Sequence, residues 1–383
     1  MTRFLAGVAG LILISQVLGC GAFLRPPDVP VDSVALDWAR PLYELESFSS
    51  QPQEMGRPLL LDGRSGKTDG VLVVPSADRA VRGLNARSGA VLWTLNTLGR
   101  NQARPAVGGD MVFVPSMDGH LYAVEPYTGV LRWKSDIIGR GGLVTTPVYA
   151  EGEDGVSRVF VTASDNRLIA FDAQSGRYLW DRHRKHSSEL TITGQAGATV
   201  HGSMVLTAFS DGMVGAYAQE DGATLWAVEV SGDNRDFLDV DTTPVVVGER
   251  VFVAGYRTGL HSLDLKTGAE HWLLTGEGYG EPLHFDGVLY LPQADGRLFA
   301  VDPTSGALSW TLNIQAGVPG TPAASRKYLW VPAGGSMLVC DRQTGRVVTR
   351  VHDEQGFSAT PEYAWGVLYA QGNSGTLYAL DVH

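Results

Sequence analysis

Residues 298–310 read Leu298-Phe299-Ala300-Val301-Asp302-Pro303-Thr304-Ser305-Gly306-Ala307-Leu308-Ser309-Trp310, two apolar stretches of strand length around a Pro-Thr-Ser-Gly turn. Asp302 is placed to accept backbone N–H groups in an Asx turn, and Gly306 can take a positive φ with no Cβ in the way. Small residue, acid, Thr/Ser-Gly and Trp recur at the same offsets from Ala123 to Trp133 and from Ala170 to Trp180. Weaker copies run from Gly83 to Trp93, Ala216 to Trp226 and Ser262 to Trp272, and a seventh runs from Val339 to Thr349. Upstream of each hairpin lies another strand pair, such as Pro282-Leu283-His284-Phe285 and Val288-Leu289-Tyr290-Leu291 around the turn Asp286-Gly287.

Successive Trp residues are 40, 47, 46, 46 and 38 residues apart, and each interval is the length of one four-stranded propeller blade. An eighth copy starts at Ala379-Leu380-Asp381, but the chain stops at His383 before its turn and fourth strand. The segment Ala35-Leu36-Asp37-Trp38-Ala39-Arg40 has the composition of that missing strand. Paired beside the C-terminal strand it would hide two exposed sheet edges. The sequence therefore predicts an all-β, eight-bladed β-propeller over 35–383 whose eighth blade is closed by the N-terminal strand. WD40 propellers fit poorly, because Trp180-Asp181 is the single Trp-Asp pair, and period-two alternation with Gly turns excludes helical solenoids.

Net charge is −11, with 30 Lys plus Arg against 41 Asp plus Glu, which argues against nucleic acid as a partner. The N-terminus reads as a signal over 1–19: Arg3, then an apolar run from Phe4 to Leu18 too short to span a bilayer comfortably. The closing Val17-Leu18-Gly19-Cys20 resembles a bacterial lipobox, which implies a signal peptide cleaved before Cys20 and a lipidated, N-acylated cysteine. More than one acyl chain gives stable membrane attachment. Residues 20–34, with Pro26, Pro27 and Pro30, then form an extended tether. Gly21 replaces the Asp that commonly retains lipoproteins at the inner membrane, so the periplasmic face of the outer membrane is the expected location.

The repeat resembles the tryptophan-docking motif of propellers of the pyrroloquinoline-quinone type. That resemblance implies that Trp38, Trp93, Trp133, Trp180, Trp226, Trp272 and Trp310 each stack on the small residue and Thr-Gly turn of a neighbouring blade. Quinone-dependent alcohol dehydrogenases of this architecture carry a vicinal disulfide, a calcium site and an Asp base. Here the cysteines are Cys20 and Cys340 alone, and no convergent acid, base and metal set replaces the disulfide. No enzyme activity, cofactor or metal is expected. His183 and His186 sit among cations, Gly139-Arg140-Gly141-Gly142 lacks the Lys-Ser/Thr of a P-loop, and Asp233, Asp236, Asp239 and Asp241 do not have EF-hand spacing. A quinone-dependent oxidoreductase or small-ligand-binding propeller is the alternative, and it requires a pocket in the central channel.

Two connections are long, Asp181 to Gln195 and Val228 to Pro244, and both leave outer strands toward one face of the disc. The second holds Leu238-Asp239-Val240-Asp241-Thr242-Thr243-Pro244-Val245-Val246-Val247, followed by Val251-Phe252 and Leu263-Asp264-Leu265. This stretch resembles the BamB family, lipoprotein propellers of the outer-membrane β-barrel assembly machinery. The signal, blade number and shared termini extend the likeness over the whole chain. It implies a non-enzymatic scaffold on which Asp239 and Asp241, with Leu190 and Ile192 on the adjacent loop, bind a periplasmic POTRA repeat of the barrel subunit BamA. Thr193 stands where the family has Arg. On residue chemistry alone, the two acids could instead cap the next inner strand, and Leu190 and Ile192 could anchor their own loop.

Overall fold

The computed structural model describes residues 34–43, 53–61, 70–184, 196–231, 240–315 and 317–382. Each repeat forms one four-stranded antiparallel sheet with its strands in chain order; Leu59–Leu61, Val71–Pro75, Ala80–Asn85 and Val91–Asn96 make the first. Blades two to seven occupy 106–134, 148–183, 199–229, 245–274, 283–313 and 323–352. The eighth combines Glu362–Ala364, Val367–Gln371 and Thr376–Val382 with Val34–Pro41 as its outermost strand. Its innermost strand touches those of both the first and the seventh blade, so the ring is closed.

The middle strands of a blade are covered on both faces by the neighbouring blades, which is why they read as nearly unbroken apolar runs. Val71–Pro75 and Met111–Pro115 are buried at every position, whereas the outer strand Val91–Asn96 buries Trp93 and leaves most of the rest accessible. The hydrophobic clusters consequently lie between blades: Leu206, Val214 and Ala216 of the fourth pack with Val251, Val253 and Leu263 of the fifth. The repeat's turn has the chemistry read from its residues. Asp302 accepts from the N–H groups of Thr304 at 2.9 Å and Ser305 at 2.7 Å, and Gly306 has φ +73°.

A bulge recurs in all eight sheets and was not legible in the repeat. In the third blade Ala170 pairs with Trp180 but Phe171 pairs with Tyr178, leaving Leu179 over; the same slip precedes Thr349 in the seventh blade and Trp38 in the eighth. One extra residue just before the Trp kinks the outer strand and re-aims the indole toward the next blade. There the Trp lies on the turn glycine: Trp93 on Gly129, Trp133 on Gly176, Trp180 on Gly222, Trp226 on Gly268, Trp272 on Gly306, Trp310 on Gly345, and Trp38 on Gly89. At Gly129 (φ +68°) a Cβ would come within 2.6 Å of the Trp93 ring, so the contact needs glycine for space as well as for φ. Six of these indoles donate to a carbonyl of that next blade at 3.0 to 3.3 Å.

The expected docking partner needs one correction. The small residue belongs to the blade that carries the Trp, directly across from it (Ala123 and Trp133, Ala216 and Trp226, Ala379 and Trp38), and only the glycine turn belongs to the neighbour. Antiparallel pairing across a tight turn makes this unavoidable. The small side chain leaves room for the ring over its own sheet.

Between blades seven and eight no Trp lies on a turn glycine among the described residues. Trp330 fills this seam, fully buried and stacked on Tyr363 of the eighth blade with ring centroids 4.5 Å apart, while Asp353 accepts the Tyr378 hydroxyl at 2.8 Å. Truncating Trp226 or Trp330 to Ala should each cost roughly 3–5 kcal/mol, whereas Thr349→Ala should cost less than about 1 kcal/mol. Denaturant unfolding of the three variants checks this, and a Thr349 effect as large as that of Trp226 would mean that the seam is packed differently.

Candidate functional site

The connections from outer strands to the next inner strands emerge together on one face. Cys20, Leu190, Ile192, Thr193 and Asp239 lie outside the described residues, as do His186, Asp233 and Asp236; Asp241 is described and half-buried. The structure does define the stems of both long loops. The third-blade loop leaves through Arg184, whose Nε is 2.5 Å from Asp211 of the fourth blade. It returns at Ala196, whose carbonyl accepts the Thr162 hydroxyl at 2.6 Å. The fourth-blade loop returns through Val240, which is fully buried, and Thr242, whose hydroxyl donates to Ala254 O at 2.8 Å and accepts from Ala254 N at 2.7 Å.

The two return stems are bonded to each other. Gly197 N donates to Thr243 Oγ1 at 3.1 Å, and Thr199 Oγ1 donates to Pro244 O at 2.5 Å. Burial alternates along 240–244, with Val240, Thr242 and Pro244 turned in and Asp241 and Thr243 partly accessible. Asp241 is thus presented from a stem fixed on both sides and joined to the root of the loop that carries Leu190 and Ile192.

The same face holds the mouth of the central channel, a cavity of about 510 Å³ reached by all eight blades. One ring position in each blade lies two residues before its innermost strand. It is Arg57 and Arg104 in the first two blades, Thr146, Thr243, Thr321 and Thr360 in the third, fifth, seventh and eighth, and Gly197 and Glu281 in the fourth and sixth. In seven of the eight the next residue is Pro, which holds the ring residue extended at the head of the strand. This X-Pro recurrence is present in the sequence at the blade period and was overlooked beside the stronger Trp signal.

Charge at the mouth is uneven. Glu362 is mostly buried and takes Arg57 Nη2 at 3.0 Å on one oxygen and Arg104 Nη2 at 2.8 Å on the other. Burial lowers the Arg57 pKa, with Glu362 opposing that shift and Arg104 adding to it. Glu281 lines the channel and is accessible from it. Desolvation by the channel wall raises its pKa, against the Thr243 hydrogen bond and the charge of Arg57.

Other sequence candidates take structural places. His183 is exposed at the end of its strand. The glycine loop spends its N–H groups internally, Arg140 N on Asp165 and Gly142 N on the Ser164 hydroxyl, both at 3.0 Å. Cys340 is fully buried in the strand Ser336–Asp341, and burial pushes its thiol up to about 12. Among the described residues, no group of three His, Cys, Asp or Glu side chains is placed to hold a metal ion.

Comparison with known proteins adds an independent line. A family model described as outer membrane protein assembly factor BamB matches residues 77–312 and 294–383. The outer membrane protein assembly factor BamB of Salmonella typhimurium is 27% identical over 408 aligned positions, covering 97% of each chain. The crystal structure of BamB from Moraxella catarrhalis superposes with a TM-score of 0.74 at 18% identity, over 91% of this chain and 99% of that one. A quinohemoprotein alcohol dehydrogenase of Pseudomonas putida superposes at 0.70 with 12% identity, over 91% of this chain and 76% of its own, a likeness of fold alone.

Beside the channel mouth, Glu54 latches the ring closure. It is fully buried, receives the Tyr43 hydroxyl and Ala77 N on its carboxylate, and donates its own N–H to Asn373 Oδ1 at 3.0 Å. Burial raises its carboxyl from 4.5 to about 7 despite those bonds. A raised carboxyl favours the protonated folded state, so the stability it contributes is complete below the ordinary pKa and is lost as pH climbs through about 7. Stability should therefore fall by about 3 kcal/mol between roughly pH 5 and pH 8, and Glu54→Gln should remove most of that slope. Denaturant midpoints across the pH series decide; an unchanged slope in Glu54→Gln would clear Glu54 of the effect.

Proposed function

The chain belongs to the BamB family of outer membrane protein assembly factors, and from that membership we propose that it is a non-enzymatic, lipid-anchored scaffold of the β-barrel assembly machinery. It sits on the periplasmic face of the outer membrane and binds the POTRA repeats of the BamA-like barrel subunit, aiding folding and insertion of outer-membrane proteins. The observation that supports this reading is the bonding of the two long-loop stems through Gly197–Thr243 and Thr199–Pro244, which sets the roots of the two loops side by side. Acids on that surface meet basic or N–H groups of the partner, and Leu190 with Ile192 forms its desolvated centre. The fold shared with a quinohemoprotein dehydrogenase carries no chemistry with it, because function resides in the site.

Two measurements test the proposal. Cys20→Ser should release a soluble propeller or accumulate unprocessed precursor; a processed variant that stays tightly on partner-free membranes would contradict the anchor. Replacing Asp239 and Asp241 with Ala should weaken binding to purified POTRA repeats by roughly 2–5 kcal/mol while the melt is preserved. Unchanged affinity with intact folding would remove the acids from the surface, and a variant that unfolds would assign them to capping the fifth blade. Thr193→Arg should tighten the complex if the partner retains the family's contact.

A further inference from the structure

The ring at the channel mouth is electrically divided. Its cationic pole is Arg57 and Arg104, adjacent in blades one and two, and these two guanidiniums share the single carboxylate of Glu362. A guanidinium has five N–H donors. Arg57 spends Nε, at 3.1 Å, and Nη2 on Glu362, whereas Arg104 gives it Nη2 alone and keeps a buried Nε with no hydrogen-bond partner among the described residues. Leaving buried charged donors unmade is costly. Blade two lies opposite blade six in a ring of eight, and blade six contributes Glu281, which forms no ion pair with a cation among the described residues.

Between the poles the ring is neutral, and three of its four threonine hydroxyls are bonded. Thr360 Oγ1 donates to Thr321 O at 3.0 Å, Thr321 Oγ1 to Glu281 O at 3.4 Å, and Thr243 Oγ1 accepts from Gly197 N. Charge is thus concentrated at two facing places, across a cavity of about 510 Å³ open on the loop face. That volume is of the size used for small molecules and exceeds what one amino acid fills.

We propose that the channel mouth binds a short zwitterionic peptide, its terminal carboxylate on Arg57 and Arg104 and its terminal ammonium toward Glu281. Arg–carboxylate pairing supplies two parallel charge-assisted bonds, and Arg104 has the unspent donors for them. The ammonium supplies the cation that Glu281 lacks among the described residues. The site is separate from the POTRA-binding surface and does not depend on that assignment.

The test is calorimetric titration of the full-length, detergent-solubilised protein with trialanine, C-amidated trialanine, N-acetyl-trialanine and citrate. Trialanine should bind saturably at one site, with each blocked peptide weaker by about tenfold or more. Arg104→Gln should weaken trialanine by about tenfold with little change in the melt. Glu281→Gln should abolish the preference for trialanine over its N-acetyl form. Should Arg104→Gln fail to fold, the Glu281→Gln comparison decides by itself. The proposal is overturned if trialanine shows no saturable binding up to about 10 mM, if the blocked peptides bind equally well, or if citrate is preferred, which would make the site a simple anion site.

Discussion

Everything in this molecule hangs on an indole laid over a glycine of the next blade. A four-stranded sheet cannot bury both of its faces alone, so each blade is stable only when it is clasped by two others. The Trp supplies the clasp because it combines a large apolar surface with one N–H that reaches a carbonyl across the gap. The glycine admits the ring, the small residue on the adjacent strand makes room beneath it, and the bulge turns it in the required direction. The bulge persists in the seventh blade, where Thr349 replaces the Trp, so the strand's kink is independent of the indole.

Closing a ring requires that the chain's two ends meet, and three devices of different kinds hold them. Val34–Pro41 adds the last strand and puts Trp38 on Gly89. Glu54 ties Tyr43 to the turns of blades one and eight through Ala77 and Asn373. Glu362 of blade eight is bracketed by Arg57 and Arg104 of blades one and two. The first is apolar and repeats the contact used elsewhere, whereas the other two are polar. A buried ion pair is a poor source of stability compared with apolar packing, but a partner lost from it is expensive. Such groups therefore penalise an open or misregistered ring more than they strengthen a closed one.

How much was readable in advance follows from the range of each interaction. The Trp, the small residue and the turn lie within eleven positions of each other and recur, so blade number and closure by Ala35 to Arg40 were legible from spacing. Which blade the small residue belongs to was misjudged, because stacking on a neighbour and pairing within a sheet leave the same spacing. Trp330 at the irregular seam was missed since it lies outside the repeat and meets Tyr363 through the fold. Glu362 meets Arg57 across 305 positions, and no local pattern announces such a pair. The ring of residues before proline was different. Its signal is periodic and local, and it went unread because Arg, Thr, Glu and Gly share no chemistry until the fold sets them side by side.

The two candidate surfaces share parts of one frame. Thr243 lines the channel, and its hydroxyl also receives Gly197 N, the bond that joins the stems of the long loops. Gly197 is itself the fourth ring position, and a Cβ there would lie 2.8 Å from Thr243 Oγ1, so this close approach of the stems needs glycine. Asp241 follows Val240, which is locked in the core between blades four and five, and precedes Thr242, which is bonded in both directions to Ala254. The described stems of both long loops are thus mounted on a base that cannot move without disturbing the channel mouth. A root fixed in this way lowers the ordering cost of binding through the loops it carries, because the root has little freedom left to lose.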